Sequence, residues 1–168
     1  MRVEMVEGNE AERYDPGVVN MDKRCSCGHQ MELKLSTVVF KKNAEIENVP
    51  VLICDTCNHS EIFPPVKPCL VSLLGRLKAL LPEKIHLRFD ERNEIARIIQ
   101  LQQKQEAGVE GVRRLIEERI NELLDMLLLA RSLEDQEWVD DIQQKLVQLT
   151  DKTLAAVIIS FSRNRINR

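Results

Sequence analysis

Cys25-Ser26-Cys27-Gly28-His29 and Cys54-Asp55-Thr56-Cys57 are two close cysteine pairs, and 26 residues separate Cys27 from Cys54. A tetrahedral metal site needs two thiolates turned inward from each of two tight turns, with enough chain between the turns for a β-hairpin. The spacing therefore predicts a structural zinc ion held by Cys25, Cys27, Cys54 and Cys57. It also predicts a small antiparallel ribbon between the two turns.

The intervening residues fit that ribbon. Met31–Phe40 alternates apolar and polar side chains and is rich in β-branched residues, as a half-buried strand is. Lys41-Lys42-Asn43 reads as a polar turn, Ala44–Val49 alternates again, and Val51-Leu52-Ile53 delivers the chain to the second cysteine pair. A sheet this small has little core of its own, so the metal is expected to supply much of its folding free energy.

The run Ile46-Glu47-Asn48-Val49-Pro50-Val51-Leu52-Ile53-Cys54-Asp55-Thr56-Cys57 resembles the second half of the YgiT-type zinc finger. In that family an I-x-N-V-P run leads into C-x-x-C-G-E. Cys27-Gly28 matches the end of the family's first C-x-x-C-G knuckle, and the resemblance spans about residues 24–64. It implies zinc ligation by Cys27, Cys54 and Cys57 directly, and by Cys25 with a one-residue slip. Arg24 stands where a C-x-x-C register would put the first cysteine, and Asn58 stands where the family has glycine. Asparagine also tolerates the left-handed backbone that a knuckle turn needs. His29 and His59 are the alternative fourth ligands, because imidazole coordinates zinc well. The same zinc domain forms the N-terminal part of MqsA-type antitoxins, which bind a toxin and carry a separate helix-turn-helix domain.

Composition narrows the classes of function. The 168 residues carry a net charge of −3 and 43% hydrophobic residues, but only 4% aromatic ones. No whole-molecule basic field draws such a chain to nucleic acid. Residues 1–65 hold 7 Lys/Arg against 11 Asp/Glu, so the acidic excess lies in the first part of the chain. The N-terminus lacks the apolar run of a secretory signal, and no segment approaches the ~20 apolar residues of a membrane span. A cytoplasmic, reducing location is expected, where paired cysteines bind metal rather than crosslink. Cys69, alone among apolar residues, reads as a small buried hydrophobe.

Residues 1–22 show no periodicity and read as a flexible tail ahead of a zinc-ribbon domain over 23–65. Pro64-Pro65-Val66-Lys67-Pro68 reads as a stiff connector to a helical domain over 66–168. Leu70, Leu73, Leu74, Leu77, Leu80 and Leu81 share a helical face that Pro82 ends. Glu83–Phe89 alternates strictly, as a short strand does, with His86 on its polar side. Asp90 is placed to cap a helix reaching Gln105, and Gly108 and Gly111 mark a break. Val109, Val112, Ile116, Ile120, Leu123, Leu127 and Ala130 follow coiled-coil spacing, widened by Leu115, Leu124 and Leu128. Ser132-Leu133-Glu134-Asp135 has capping-box character. It opens a helix whose stripe runs from Trp138, Val139, Ile142, Leu146 and Leu149 to Leu154, Val157, Ile158 and Phe161. In outline only, Leu128–Leu149 resembles the helical-hairpin IDEAL domain. The basic end, Ser162–Arg168, suits the negative pole of a helix.

The expected fold is therefore α+β, a zinc-bound ribbon followed by a coiled-coil-like helical half. No phosphate loop, dinucleotide motif or H-E-x-x-H is present, and three scattered histidines give a catalytic triad little to draw on. Four thiolates would close the zinc to water, so a catalytic zinc would need His29 or His59 as ligand and an open position. The residues point to a non-enzymatic regulator or adaptor that acts through a protein partner and dimerises through its helical half. The alternative is a DNA-binding regulator or antitoxin, with Arg88–Gln105 as its best recognition stretch, although Asp90, Glu91 and Glu94 interrupt the basic side chains there.

Overall fold

The computed structural model describes Arg2–Met5 as backbone, together with residues 24–78 and 84–149. Within these the chain is α+β, with five strands and four α-helices. It divides into two compact units, Met1–Arg92 and Asn93–Arg168. The division falls at Arg92, not at the prolines near residue 65. Pro64–Val66 forms a 3-10 turn that runs straight into α1 (Lys67–Leu77). Prolines at the first positions of a helix lose nothing, because the N–H groups there have no intrahelical partner. These prolines thus open helical structure where a connector is expected.

The first unit is built on β2 (Glu32–Phe40) and β3 (Ala44–Ile53), paired antiparallel from Glu32↔Ile53 to Phe40↔Ala44. Around that hairpin the sheet is larger than a ribbon. β1 (Arg2–Met5) lies parallel to β2, a strand that the polar composition of residues 1–22 conceals. β4 (Ser60–Ile62) pairs antiparallel with the end of β3, and β5 (Ile85–Arg88) pairs parallel with its start. Of the alternating run, Ile85–Arg88 is a strand and Phe89 opens a 3-10 turn. His86 sits exposed on its polar side, 3.2 Å from a Glu47 oxygen. Val38, Phe40, Ile46, Val49, Val51, Phe63 and Phe89 are buried, so the sheet has an apolar core apart from any metal.

Asn48 explains part of the Ile46–Pro50 run. The register slips between Ser36 and Val38, and Asn48 adopts a left-handed backbone with φ 58°. Some bulges place one residue in that conformation, and asparagine accepts it more readily than most other side chains. Its Nδ2 donates at 2.8 Å to Asp90, which is only 5% exposed and also receives Arg88 Nη2 at 2.7 Å. Asp90 is therefore occupied by the sheet and does not cap the next helix. Asn48→Ala is expected to cost about 2–3 kcal/mol, from left-handed strain and one lost bond to a buried carboxylate. Urea unfolding measures this, and Asn48→Gly should recover only the backbone share.

In the second unit Asn93 caps α2 (Glu94–Gln105), accepting Ala96 N–H at 3.0 Å. The helix buries Ile95, Ala96, Ile98 and Ile99, and Glu106 ends it in the left-handed region. α3 (Val109–Ser132) follows after Gly108. Gly111 is required by close approach, since an added Cβ would lie 2.9 Å from that of Ala107. α3 packs against α2 and α4 (Gln136–Gln148). Val112, Ile116, Leu123, Leu127 and Ala130, most of the expected seam, are buried inside this single chain. The N-cap of α4 is Asp135, which accepts Trp138 N–H at 3.0 Å; Ser132 instead donates its hydroxyl to Leu129 O at the end of α3. Two candidate caps three residues apart are indistinguishable by composition, and the turn through left-handed Glu134 selects the second.

Glu94 and Arg119 tie α2 to α3. Arg119 Nε and Nη2 each donate to Glu94 at 2.8 Å, with side-chain exposures of 12% and 4%. Leu80, Leu81 and Pro82, the stripe from Leu154 to Phe161 and the basic end lie outside the described residues.

Candidate metal centre

Each cysteine pair sits on a turn closed by its own backbone. In the first, Cys25 N–H donates to His29 O and Gly28 N–H to Cys25 O, both at 2.8 Å. In the second, Cys54 N–H donates to His59 O and Asn58 N–H to Cys54 O, again at 2.8 Å. The residue after the second cysteine has positive φ in both turns, 87° at Gly28 and 56° at Asn58. The knuckles are therefore the same device, and the first is one residue shorter between its cysteines. Compression to C-x-C removes a loop residue without losing the closing bonds. Asn58 fills the left-handed position that glycine would otherwise take.

The turns bring together the four sulfurs expected from the sequence. Cys25, Cys27, Cys54 and Cys57 Sγ all lie within 4.8 Å of one another. The closest approaches cross between knuckles, 3.2 Å for Cys25–Cys57 and 3.5 Å for Cys27–Cys54. An ion bonded tetrahedrally to four sulfurs at about 2.3 Å sets them about 3.8 Å apart. The observed separations bracket that value, so this set can hold a metal ion. His29 lies beside it, with Nδ1 3.6 Å from Cys27 Sγ, and His59 is exposed; neither belongs to the converging set. Cys25 and Cys54 are buried with Met31 and Leu52, whereas Cys27 and Cys57 face solvent. Cys69 is half-buried and apart. Lys34 on β2 reaches the second knuckle at Asp55, 2.7 Å away, and this carboxylate holds the ammonium pKa above its usual value.

Backbone N–H groups aimed at the sulfurs prepare them to ionise. The Cys27 N–H, with the Cys57 thiol, pulls Cys25 down to about 6. Cys54 is lowered by the N–H groups of Cys57 and Thr56, against its burial. The other two sulfurs go the opposite way. His29 N–H favours the Cys27 thiolate, but contact with Cys54 and Cys25, together with burial, raises it overall. Cys57 receives His59 N–H, yet its three sulfur neighbours push it up to about 12. Four thiolates this close cannot all be charged unless a cation offsets their repulsion.

Metal loading near neutral pH must therefore expel protons from Cys27 and Cys57. Affinity should rise with pH and fall on acidification, by about tenfold per displaced proton per pH unit. Below about pH 6 protons also compete for Cys25, and the fall steepens. Chelator competition across this range gives the slope directly. A flat profile would mean that the thiols are already ionised without metal.

No family model, no curated protein and no solved structure matches this chain. Its functional assignment stands on the residues and their geometry. The sequence pattern marked the four cysteines, but not the N–H groups of Thr56, His29 and His59 or the Lys34–Asp55 clamp, which depend on the folded turns. Of the exposed apolar side chains over Leu124–Leu133, the pattern marked Leu124 and Leu128 as widening the seam, but not Met126, Leu129 or Leu133. Among the described residues, no helix is long and apolar enough to cross a membrane.

Proposed function

We propose that this chain is a non-enzymatic regulatory or adaptor protein, with structural zinc at Cys25, Cys27, Cys54 and Cys57, that works by binding another protein. The convergence of four sulfurs carries the zinc assignment. Zinc favours a tetrahedral all-thiolate set, and such a set leaves no coordination position for a reacting water. The likeness of Ile46–Cys57 to a YgiT-type finger supports the same metal.

The helical unit supports the binding role. Leu124, Leu128, Leu129 and Leu133 are 44%, 66%, 51% and 63% exposed, with Met126 beside them at 39%. The last turns of α3 are thus apolar on nearly every side, which is the pattern of a helix covered by something. The inward seam is already used within the chain. A protein partner or a second copy would therefore meet these outward leucines instead. In the alternative DNA-binding reading, α2 buries Glu94, Ile95, Ala96, Ile98 and Ile99, while Arg88, Arg92, Gln103 and Lys104 of the Arg88–Gln105 stretch are exposed.

Metal analysis with thiol counting tests the first part: one zinc per chain with four protected thiols supports it. Size-exclusion chromatography with light scattering on the intact protein and on Leu128→Glu tests the second. A monomer whose partner capture is unaltered by Leu128→Glu would refute binding through this patch.

A further inference from the structure

α3 carries a second stripe beside the seam that it buries within this chain. Glu117, Leu124 and Arg131 are spaced by seven residues, close to two helical turns, so they fall in line along the helix. Ile120 and Leu128 sit about one turn to either side of Leu124. Ile120 is half-buried, Leu124 and Leu128 are largely exposed, and Glu117 and Arg131 face solvent. Among the described residues neither Glu117 nor Arg131 forms an ion pair.

The stripe is thus apolar in the middle and oppositely charged at its ends, and each charge lies about 10 Å along the axis from Leu124. Such a pattern is its own complement. Turned end over end about Leu124, a second α3 sets Glu117 against Arg131 twice, Ile120 against Leu128 twice, and Leu124 against itself. A parallel copy would set like charges opposite one another. An unrelated partner would need the same charges at the same spacing around an apolar middle. Seven-residue spacing is also what two helices keep in contact as they wind about each other.

We propose that the partner of the Leu124–Leu128 face is a second copy of this chain, docked antiparallel along α3 with Leu124 on the two-fold axis. The proposal rests on the protein-binding reading above and gives that face its occupant. Ile120, Leu124 and Leu128 supply apolar area that leaves water on pairing. The two Glu117–Arg131 pairs fix direction and register more than they add affinity. The contact is short, well below the size of a permanent dimer interface, so association is weak and depends on concentration. Leu129 and Leu133 lie farther round the helix and are not part of this contact.

The test is sedimentation equilibrium of the metal-loaded full chain from micromolar to hundreds of micromolar, where a monomer–dimer equilibrium is expected. Glu117→Arg and Arg131→Glu should each weaken it by about tenfold, because each turns two exposed attractions into two repulsions. Both reversals together should restore it. Circular dichroism melts check that each variant folds. Leu124→Cys gives a readout without any change of charge: a short bismaleimide should join two chains at that position, with the wild-type chain as control for its own thiols. A wild-type chain that stays monomeric throughout would overturn the proposal, as would a double reversal no better than the single ones or no crosslink through Leu124→Cys. A monomer in which Leu124→Cys resists thiol reagents would overturn it too, by assigning the stripe to another segment of the same chain. If a monomeric chain still captures a protein and loses it in Leu128→Glu, the second copy is refuted while the protein-binding reading stands.

Discussion

Cys54→Ser is expected to abolish stoichiometric metal binding and to release both knuckles while the sheet stays formed. Cys54 Sγ is the most enclosed of the four: the residue is wholly buried, it takes N–H groups from Cys57 and Thr56, and it lies 3.5 Å from Cys27. Serine offers a hydroxyl that ionises far less readily than a thiol, so three thiolates remain and zinc affinity falls by orders of magnitude. Residues 24–30 and 54–59 then keep only their few turn bonds. The core around Val38, Ile46, Val51 and Phe63 does not need the metal, so amide protection on β3 should persist. This is narrower than the collapse of residues 24–64 expected of an isolated ribbon, and the difference arises because β1, β4 and β5 enlarge the sheet. Metal content by mass spectrometry, read beside hydrogen exchange, decides it. Loss of protection throughout β2 and β3 would show that the metal, and not the apolar core, holds the sheet.

Arg119→Ala should destabilise the helical unit by about 3–5 kcal/mol, because it leaves the buried Glu94 carboxylate without its bidentate partner. That is a large fraction of the 5–15 kcal/mol that holds a typical domain. Glu94 also donates its backbone N–H to Gln148 Oε1 at 2.8 Å, so the damage reaches the end of α4. Replacing both members, Glu94→Leu with Arg119→Met, removes the orphaned charge and should recover most of the loss. Thermal melts of the two single variants and the double variant give the coupling. Additive losses would mean that the pair is not the strut its geometry implies.

Much of this architecture was legible from local chemistry. Cysteine spacing marked the four sulfurs that converge, the alternation of Met31–Phe40 marked β2, and glycine at 108 marked the α2–α3 turn. What escaped was decided by distant partners. Arg2–Met5 alternates over only four residues, too short a run to stand out from the polar stretch after it, and pairing with β2 makes it a strand. Asp90 looks like a helix cap until Asn48, far back in the chain, claims its carboxylate. The paired prolines mark either a linker or the first turn of a helix, and burial of Phe63, Val66 and Leu70 decides between them. The apparent coiled-coil seam is real as an apolar stripe, but periodicity does not say whether a stripe faces another chain or its own neighbours.

The matched closing bonds of the two knuckles have a consequence for how such centres are recognised. Spelling and geometry are uncoupled here: one turn is written with a single residue between its cysteines and the other with two, and both present their sulfurs to the same point. What the two turns share is a carbonyl on the first cysteine that accepts an N–H from a left-handed residue just past the second. A search that counts residues between cysteines passes over the first turn. One that asks for Gly or Asn directly after the second cysteine finds both.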